Sequence, residues 1–237
     1  MIKIIFIFYH LIIGFFLALY ILYINDKAKK NIIKKWSKKL LHIFQIDVET
    51  NENLHKILSK KNYLIVSNHI SWLDIFLINS IYPVTFLSKA DVTEWPLVGK
   101  LIKSADTIYI NRDKKKSLSI ASVQIEDELK QLKSVYFFPE SIATDGSKLL
   151  PFKSNFFQTA INTQVDILPI AIKYTYQDRF SASPSYAGDI TLLQSILTLV
   201  KNKNLKASIF ILPKISSKNN RKIIANKARE MIYKALN

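Results

Sequence analysis

The sequence predicts an α/β protein: a mixed, largely parallel sheet flanked by helices, preceded by an N-terminal membrane-anchoring helix and an amphipathic helix. Three observations carry this prediction. Short apolar runs of strand length recur from about residue 60 and alternate with stretches of helical period. The chain opens with a continuous apolar run over 4–24, broken only by His10 and Gly14. Its 237 residues suffice for one well-buried α/β domain with a small appendage.

The run 4–24, IIFIFYHLIIGFFLALYILYI, would reach about 30 Å as a helix, which matches the hydrocarbon thickness of a bilayer. A cleaved signal peptide would have a shorter apolar core and a small-residue cleavage site, and neither is present. Tyr20 and Tyr23 suit an interfacial belt, and beyond them come Lys27, Lys29, Lys30, Lys34, Lys35, Lys38 and Lys39, against Lys3 alone on the other flank. The positive-inside rule then places the body on the cytoplasmic face of the inner membrane. Residues 31–45 read as an amphipathic helix, with Ile32, Ile33, Trp36, Leu40, Ile43 and Phe44 on one face and lysines on the other. Such a helix can lie among lipid headgroups or pack on its own domain. The expected division is a membrane anchor over 1–45 and an α/β domain over 46–237.

Within the domain, YLIVS (63–67), VTFLS (84–88), DTIYI (106–110), VYFF (135–138), ILPIAIKY (167–174) and ASIFIL (207–212) read as buried strands. Helices are expected near 72–80, 95–104, 117–132, 152–163 and 217–236, and the Ser-, Tyr- and Asp-rich stretch 176–190 as a long surface loop. Strand–helix alternation with covered faces favours parallel pairing, and ligand sites in such sheets gather beyond the carboxyl ends of strands.

Composition narrows the chemistry. No Cys is present, which excludes disulfides, a thiolate nucleophile and Cys-based metal sites, and the four His residues are scattered, so no metal is expected. The 34 Lys+Arg against 18 Asp+Glu leave a formal charge of +16. A polyanionic partner would explain this excess; so would a base-composition bias toward Lys, Asn and Ile. A non-enzymatic basic membrane-surface or nucleic-acid-binding module is the distant alternative, and it would interleave aromatic and basic residues on an exposed face. Here the aromatics sit mostly in the anchor and the strands, so no nucleic acid is expected.

Polar residues follow three separate strands: Asn68-His69 after the first run, Asn111-Arg112-Asp113 after DTIYI, and Pro139-Glu140 with Ser141 to Gly146 after VYFF. On a straight helix His69 and Asp74 would lie about 140° apart, too far round to meet. If the helix begins after the histidine, the ring can fold back onto the first turn. Ser71-Trp72-Leu73-Asp74 also fits a capping box, with Ser71 as N-cap and Asp74 at the third helical position. The roles are compatible, since one carboxylate oxygen can cap while the other holds an imidazole N–H and fixes its tautomer.

Asn68-His69-x-x-x-x-Asp74 resembles the first motif of the 1-acyl-sn-glycerol-3-phosphate acyltransferase family of glycerolipid acyltransferases. WPLVGKLIKSADTIYINRD (95–113) is similar to its second motif, FFPESIATDGSKLLPFKSNFFQTA (137–160) to its third and VDILPIAI (165–172) to its fourth, in order and with matching spacing. The resemblance implies the family's α/β fold and acyl transfer from an acyl thioester, on coenzyme A or acyl carrier protein, to a lysophospholipid acceptor in the membrane. No other cofactor is implied. His69 would be the general base and Asp74 its orienting partner. Asn68, Arg112, Glu140, Ser141, Thr144 and Gly146 would lie on the acceptor side, with Arg112 on the phosphate and Glu140 on the glycerol hydroxyls.

One departure bears on the acceptor. The family's Phe-Pro-Glu-Gly-Thr reads Phe138-Pro139-Glu140-Ser141-Ile142, so Ser stands where Gly would let backbone N–H groups approach an anion, and a hydroxyl is lost. Thr144-Asp145-Gly146 can supply the turn and hydroxyl instead. The expected product is phosphatidic acid from lysophosphatidic acid. The alternative is O-acylation of lyso-ornithine lipid or another lysophospholipid, whose family members carry similar Pro-Glu-x-x-x-Thr-Asp-Gly patterns. A hydrolase using the same pair against water is distinguished by releasing fatty acid without an acceptor.

Overall fold

The structure, a computed structural model, describes residues 2–89, 107–111 and 115–237. Arg112, the expected helix 95–104 and most of the second motif lie outside them. The described strands are β1 (Ile46–Thr50), β2 (Leu64–Ser67), β3 (Thr85–Lys89), β4 (Ile108–Ile110), β5 (Val135–Phe137), β6 (Ile167–Tyr176), β7 (Arg179–Phe180) and β8 (Leu205–Ile211). They form one sheet in the order β1-β8-β6-β2-β5-β3-β4, with β7 folded back on β6. Every pair along this path is parallel except β6–β8. β2 sits in the middle, with Leu64 opposite Val135 on one side and Ile167 on the other. All four of its residues are buried. A continuous apolar run without alternation has this fate because helices cover both faces of the sheet.

The helices are α1 (Ile2–Tyr20, continued by a 3-10 turn over Ile21–Tyr23), α2 (Asp26–Phe44), α3 (Leu54–Leu58), α4 (Leu73–Ile81), α5 (Lys115–Lys130), α6 (Phe157–Thr163), α7 (Leu192–Lys201) and α8 (Arg221–Leu236). On one face of the sheet Leu40, Leu41 and Phe44 of α2, Leu73 and Leu77 of α4 and Leu199 of α7 pack on Ile65, Tyr136 and Tyr174. On the other, Ala121 and Ile125 of α5, Phe157 and Ala160 of α6 and Ile224 and Ala228 of α8 pack on Leu64, Val66 and Phe137. Neighbouring strand residues thus point to opposite cores, the period-2 alternation of a pleated strand. Each fully buried large side chain contributes about 1.5–3 kcal/mol.

α2 begins at Asn25, whose Oδ1 accepts from the Ala28 N–H, and ends where Gln45 turns left-handed at φ 59°. Its Trp36, Leu40, Leu41 and Phe44 are buried against the body, so protein covers the apolar face for which a headgroup location also stood open. α1 leans on α2: the His10 ring stacks on Trp36 at 4.5 Å, and the Trp36 indole N–H donates to the His10 carbonyl at 3.3 Å. Ile7 joins the core beneath, while Ile4, Ile5, Phe6, Phe8 and Phe16 are exposed. By length and composition Lys3–Tyr23 can cross a membrane.

The strands fall within two residues of their expected positions. The structure adds β1, α3, α7 and β7, the last a two-residue strand within the expected loop 176–190, where Arg179 and Phe180 pair back onto Tyr176 and Thr175 of β6. β1 has only Ile46 and Val48 as apolar residues and forms because β8 offers it a five-pair parallel ladder. The helix expected over 152–163 starts only at Phe157. The chain entering it is held outside a helix by tertiary bonds: the Leu150 N–H, just before the expected start, donates to Glu140, and the Lys153 N–H to the Pro139 carbonyl. The helix expected from 217 starts at Arg221, with the Asn220 side chain capping it by accepting from the Lys222 N–H.

Candidate active site

The turn after β2 is built almost entirely by side chains bonding to backbone. Asn68 is buried, and its amide pairs with Ile172 in both directions: Oδ1 accepts from the Ile172 N–H and Nδ2 donates to the Ile172 carbonyl, each at 2.8 Å. This side chain carries the β2–β6 pairing past the end of the strand. His69 is then gripped at both backbone groups. Its N–H donates to Glu140 Oε1 at 2.7 Å, and its carbonyl accepts from the Thr144 N–H at 2.9 Å and hydroxyl at 3.3 Å. The imidazole stacks on Phe138, with centroids 3.9 Å apart and planes 15° from parallel.

The ring folds back to Asp74, with Nδ1 2.9 Å from Oδ2. The same Oδ2 accepts from the N–H groups of Ile70 at 2.8 Å and Ser71 at 3.0 Å, while Oδ1 accepts from the Tyr174 hydroxyl at 2.8 Å. Half of the expected capping box is present: the Asp74 carboxylate reaches back to the Ser71 N–H, but the Ser71 hydroxyl accepts from Leu73 rather than Asp74. One oxygen both caps and orients the ring, and the other is taken by a tyrosine that no local pattern announces.

The carboxylate is wholly buried, yet it has four donors, which satisfies the cost of desolvating it. Backbone N–H groups require Oδ2 to accept, so the proton on this side of the ring belongs to Nδ1, leaving Nε2 with a lone pair. The His69 side chain keeps 20% of its surface exposed against none for Asp74. Burial, reinforced by the Asp74 charge, raises the Tyr174 hydroxyl well above the usual phenol range, so it stays a donor. Tyr136 is also pushed up by burial, and it donates to the Ser67 hydroxyl at 2.6 Å.

Glu140 is 4% exposed and touches backbone with both oxygens, Oε1 at His69 and Oε2 at the Leu150 N–H, 2.8 Å away. Burial raises its pKa against the pull of those two N–H groups. Ser141 adopts φ 72°, the left-handed conformation that a glycine accepts freely and a serine takes at a cost of about 1 kcal/mol. Gly146 has φ +82°, and a Cβ there would come within 3.1 Å of both Ile70 and Phe180. Its N–H donates to the Thr144 hydroxyl at 3.2 Å. Asn68, His69, Asp74, Glu140, Thr144 and Gly146 are therefore brought together around one loop. Sequence reasoning missed Tyr174, the ring stack on Phe138, and the segment around Tyr186, whose N–H donates to the Ile70 carbonyl at 2.9 Å. Tyr174 closes the strand run 167–174, and nothing in that run marks it as a partner of Asp74.

Comparison with known proteins places the chain among acyltransferases. Residues 45–173 match the acyltransferase family model. The chain is 35% identical over 147 residues to the 1-acyl-sn-glycerol-3-phosphate acyltransferase of Neisseria gonorrhoeae, covering 62% of this chain and 57% of that protein. It is 33% identical over 172 residues to the lyso-ornithine lipid O-acyltransferase of Pseudomonas aeruginosa, covering 72% of this chain and 66% of that protein. The match thus spans little more than half the length of the Neisseria relative. In fold, the chain is similar to the crystal structure of the 1-acyl-sn-glycerophosphate acyltransferase of Thermotoga maritima, with a TM-score of 0.69, 20% identity and coverage of 96% of this chain and 88% of that one. With more than half of its residues matched and the motif residues gathered around one loop, the chain belongs to the acyltransferase family.

Proposed function

We propose that the protein is a membrane-bound acyltransferase that moves a fatty acyl group from a thioester of coenzyme A or acyl carrier protein to the free hydroxyl of 1-acyl-sn-glycerol-3-phosphate. The product is phosphatidic acid. The observation that carries the reading is the His69–Asp74 pair at 2.9 Å, buried on the carboxylate side and partly open on the ring side. His69 Nε2 takes the acceptor hydroxyl proton as that oxygen attacks the thioester carbonyl. Asp74 stabilises the imidazolium that forms. The tetrahedral intermediate collapses by breaking its carbon–sulfur bond, and the imidazolium returns its proton to the departing thiolate. The products are an ester and a free thiol. A positioned base contributes about 10²- to 10⁴-fold, and alignment of two bound substrates supplies further acceleration.

Arg112 is assigned to the acceptor phosphate, because a planar guanidinium matches a phosphate better than the 30 lysines of the chain can. Asn68 and Glu140 are reassigned from substrate contact to holding the His69 loop, because their polar atoms face backbone. Glu140→Gln can accept at only one of its two N–H partners. Leaving one buried donor unpaired costs about 1–3 kcal/mol of stability, about 2–12 °C in Tm for a chain of this size, with the acceptor KM little changed. A raised acceptor KM at constant kcat would restore the glycerol contact.

A second reading is favoured by Ser141 and Ile142 in the third motif and by the Pseudomonas relative's share of this chain: the acceptor is lyso-ornithine lipid. The experiment is acyl transfer from a labelled thioester by purified protein, offered lysophosphatidic acid and lyso-ornithine lipid in parallel. Product from lysophosphatidic acid, with an acceptor KM raised by Arg112→Ala, supports the first reading. Product only from lyso-ornithine lipid replaces it and releases Arg112 from the phosphate role. Fatty acid released without acceptor would mean hydrolysis.

A further inference from the structure

We propose that α7 is a second membrane-contacting helix, lying in the lipid interface beside α1 so that the bilayer meets the His69 loop along two helices. α1, α2, α4 and α7 all pack on the same face of the sheet. A chain of rings crosses this layer. His10 of α1 stacks on Trp36 of α2, Trp36 meets Phe76 of α4 at 5.5 Å, and Phe76 meets Trp72 at 5.6 Å. The Trp72 indole N–H then donates to the Ser195 hydroxyl of α7 at 3.0 Å. Trp72 lies three residues after His69, so α7 is tied to the loop that carries the base.

The inner side of α7 is accounted for: Ser195 and Leu199 are buried, and Ile196 and Val200 pack on the core. Its outer side is not. Leu193 is 66% and Leu197 40% exposed, one helical turn apart, and Ile190 just before the helix is 40% exposed. The occupant is argued from continuity and charge. The Lys3 ammonium at the start of α1 donates to the Asn202 carbonyl just past the end of α7, at 3.3 Å. The exposed apolar side of α1, with Phe8 and Phe16, therefore begins where α7 ends. Lys201 and Lys203 are exposed at the same corner, joining Lys3 there. An apolar stripe ending in ammonium groups suits acyl chains beneath anionic headgroups, and lysine stems can reach up to those headgroups. Ile223 of α8 is exposed on the opposite face of the sheet and provides the comparison position.

The inference rests on α1 being membrane-bound, and the test separates the two. The chain has no Cys, so single-cysteine variants of the full protein can be labelled with an environment-sensitive fluorophore. Leu193→Cys and Leu197→Cys report on α7, Phe16→Cys on α1 and Ile223→Cys on the opposite face. Each is bound to vesicles of phosphatidylglycerol and phosphatidylcholine containing nitroxide-labelled lipid. An interfacial helix face sinks about 5–10 Å into the headgroup–acyl boundary, so emission at 16, 193 and 197 should fall about twofold, with position 223 unchanged. Quenching at 16 but not at 193 and 197 would overturn the proposal while keeping α1 in the membrane. No quenching at 16 would overturn both. Energy transfer between differently labelled Leu197→Cys copies, in place of lipid quenching, would show that a second copy covers α7 and would also overturn it.

Discussion

Replacing His69 by alanine is expected to lower acyl transfer by about 10²- to 10⁴-fold, the contribution of a positioned general base, while the protein stays folded. The imidazole provides Nε2, the ring nitrogen that Asp74 does not engage, and no other described side chain pairs with Asp74 in the same way. The fold should tolerate the change because the loop is gripped through its backbone: Glu140 holds the His69 N–H and Thr144 the carbonyl, and neither bond needs the ring. Asp74 also keeps three of its four donors. Initial rates with a labelled thioester, together with the thermal midpoint, test this. Turnover like that of the unsubstituted protein would remove His69 from the chemistry.

Asp74→Ala is expected to combine that loss with a large loss of stability. The substitution leaves the Tyr174 hydroxyl and the Ile70 and Ser71 N–H groups without their acceptor, all inside the protein. At about 1–3 kcal/mol per unpaired buried donor the total is about 3 kcal/mol or more, about 6–12 °C in Tm for a chain of this size. Asp74→Asn separates the two effects. Its amide oxygen can still accept on the Oδ2 side, and its NH₂ can donate to the Tyr174 oxygen, so most of the stability should return. The negative charge facing the imidazolium does not return, and activity should stay depressed by about 10²-fold or more. Full activity in the Asn variant would mean that Asp74 only shapes the loop.

The same residues show how far a linear reading reaches. The spacing of His69 and Asp74 was legible because both lie within one turn of a helix start, where sequence distance and spatial distance are nearly the same quantity. The strands were legible because β2, β5 and β6 are buried on both faces, and burial demands unbroken apolar runs. Tyr174 was not, although it holds the other half of the Asp74 carboxylate. It lies 100 residues away in sequence and reaches Asp74 because β2 and β6 pair in one register, Leu64 opposite Ile167. Nothing local to ILPIAIKY states that register. Glu140 shows a different limit. Its position after a strand marked it as a site residue, but whether a carboxylate faces solvent or backbone depends on where a distant N–H arrives, here that of Leu150.

Features that depend on periodicity, length and neighbours along the chain are therefore readable from the linear sequence. They include the alternating α/β pattern, an apolar helix of membrane length, and an Asn-His-x-x-x-x-Asp turn with polar residues after three strands. The tertiary structure alone decided which of those residues face one another. It placed α2 in the core, turned Asn68 and Glu140 onto backbone, brought Tyr174 to Asp74, and set α7 beside α1. The physical reason is common to these cases. Each depends on hydrogen-bond register or packing between segments far apart in sequence, and such contacts form only after the sheet has assembled.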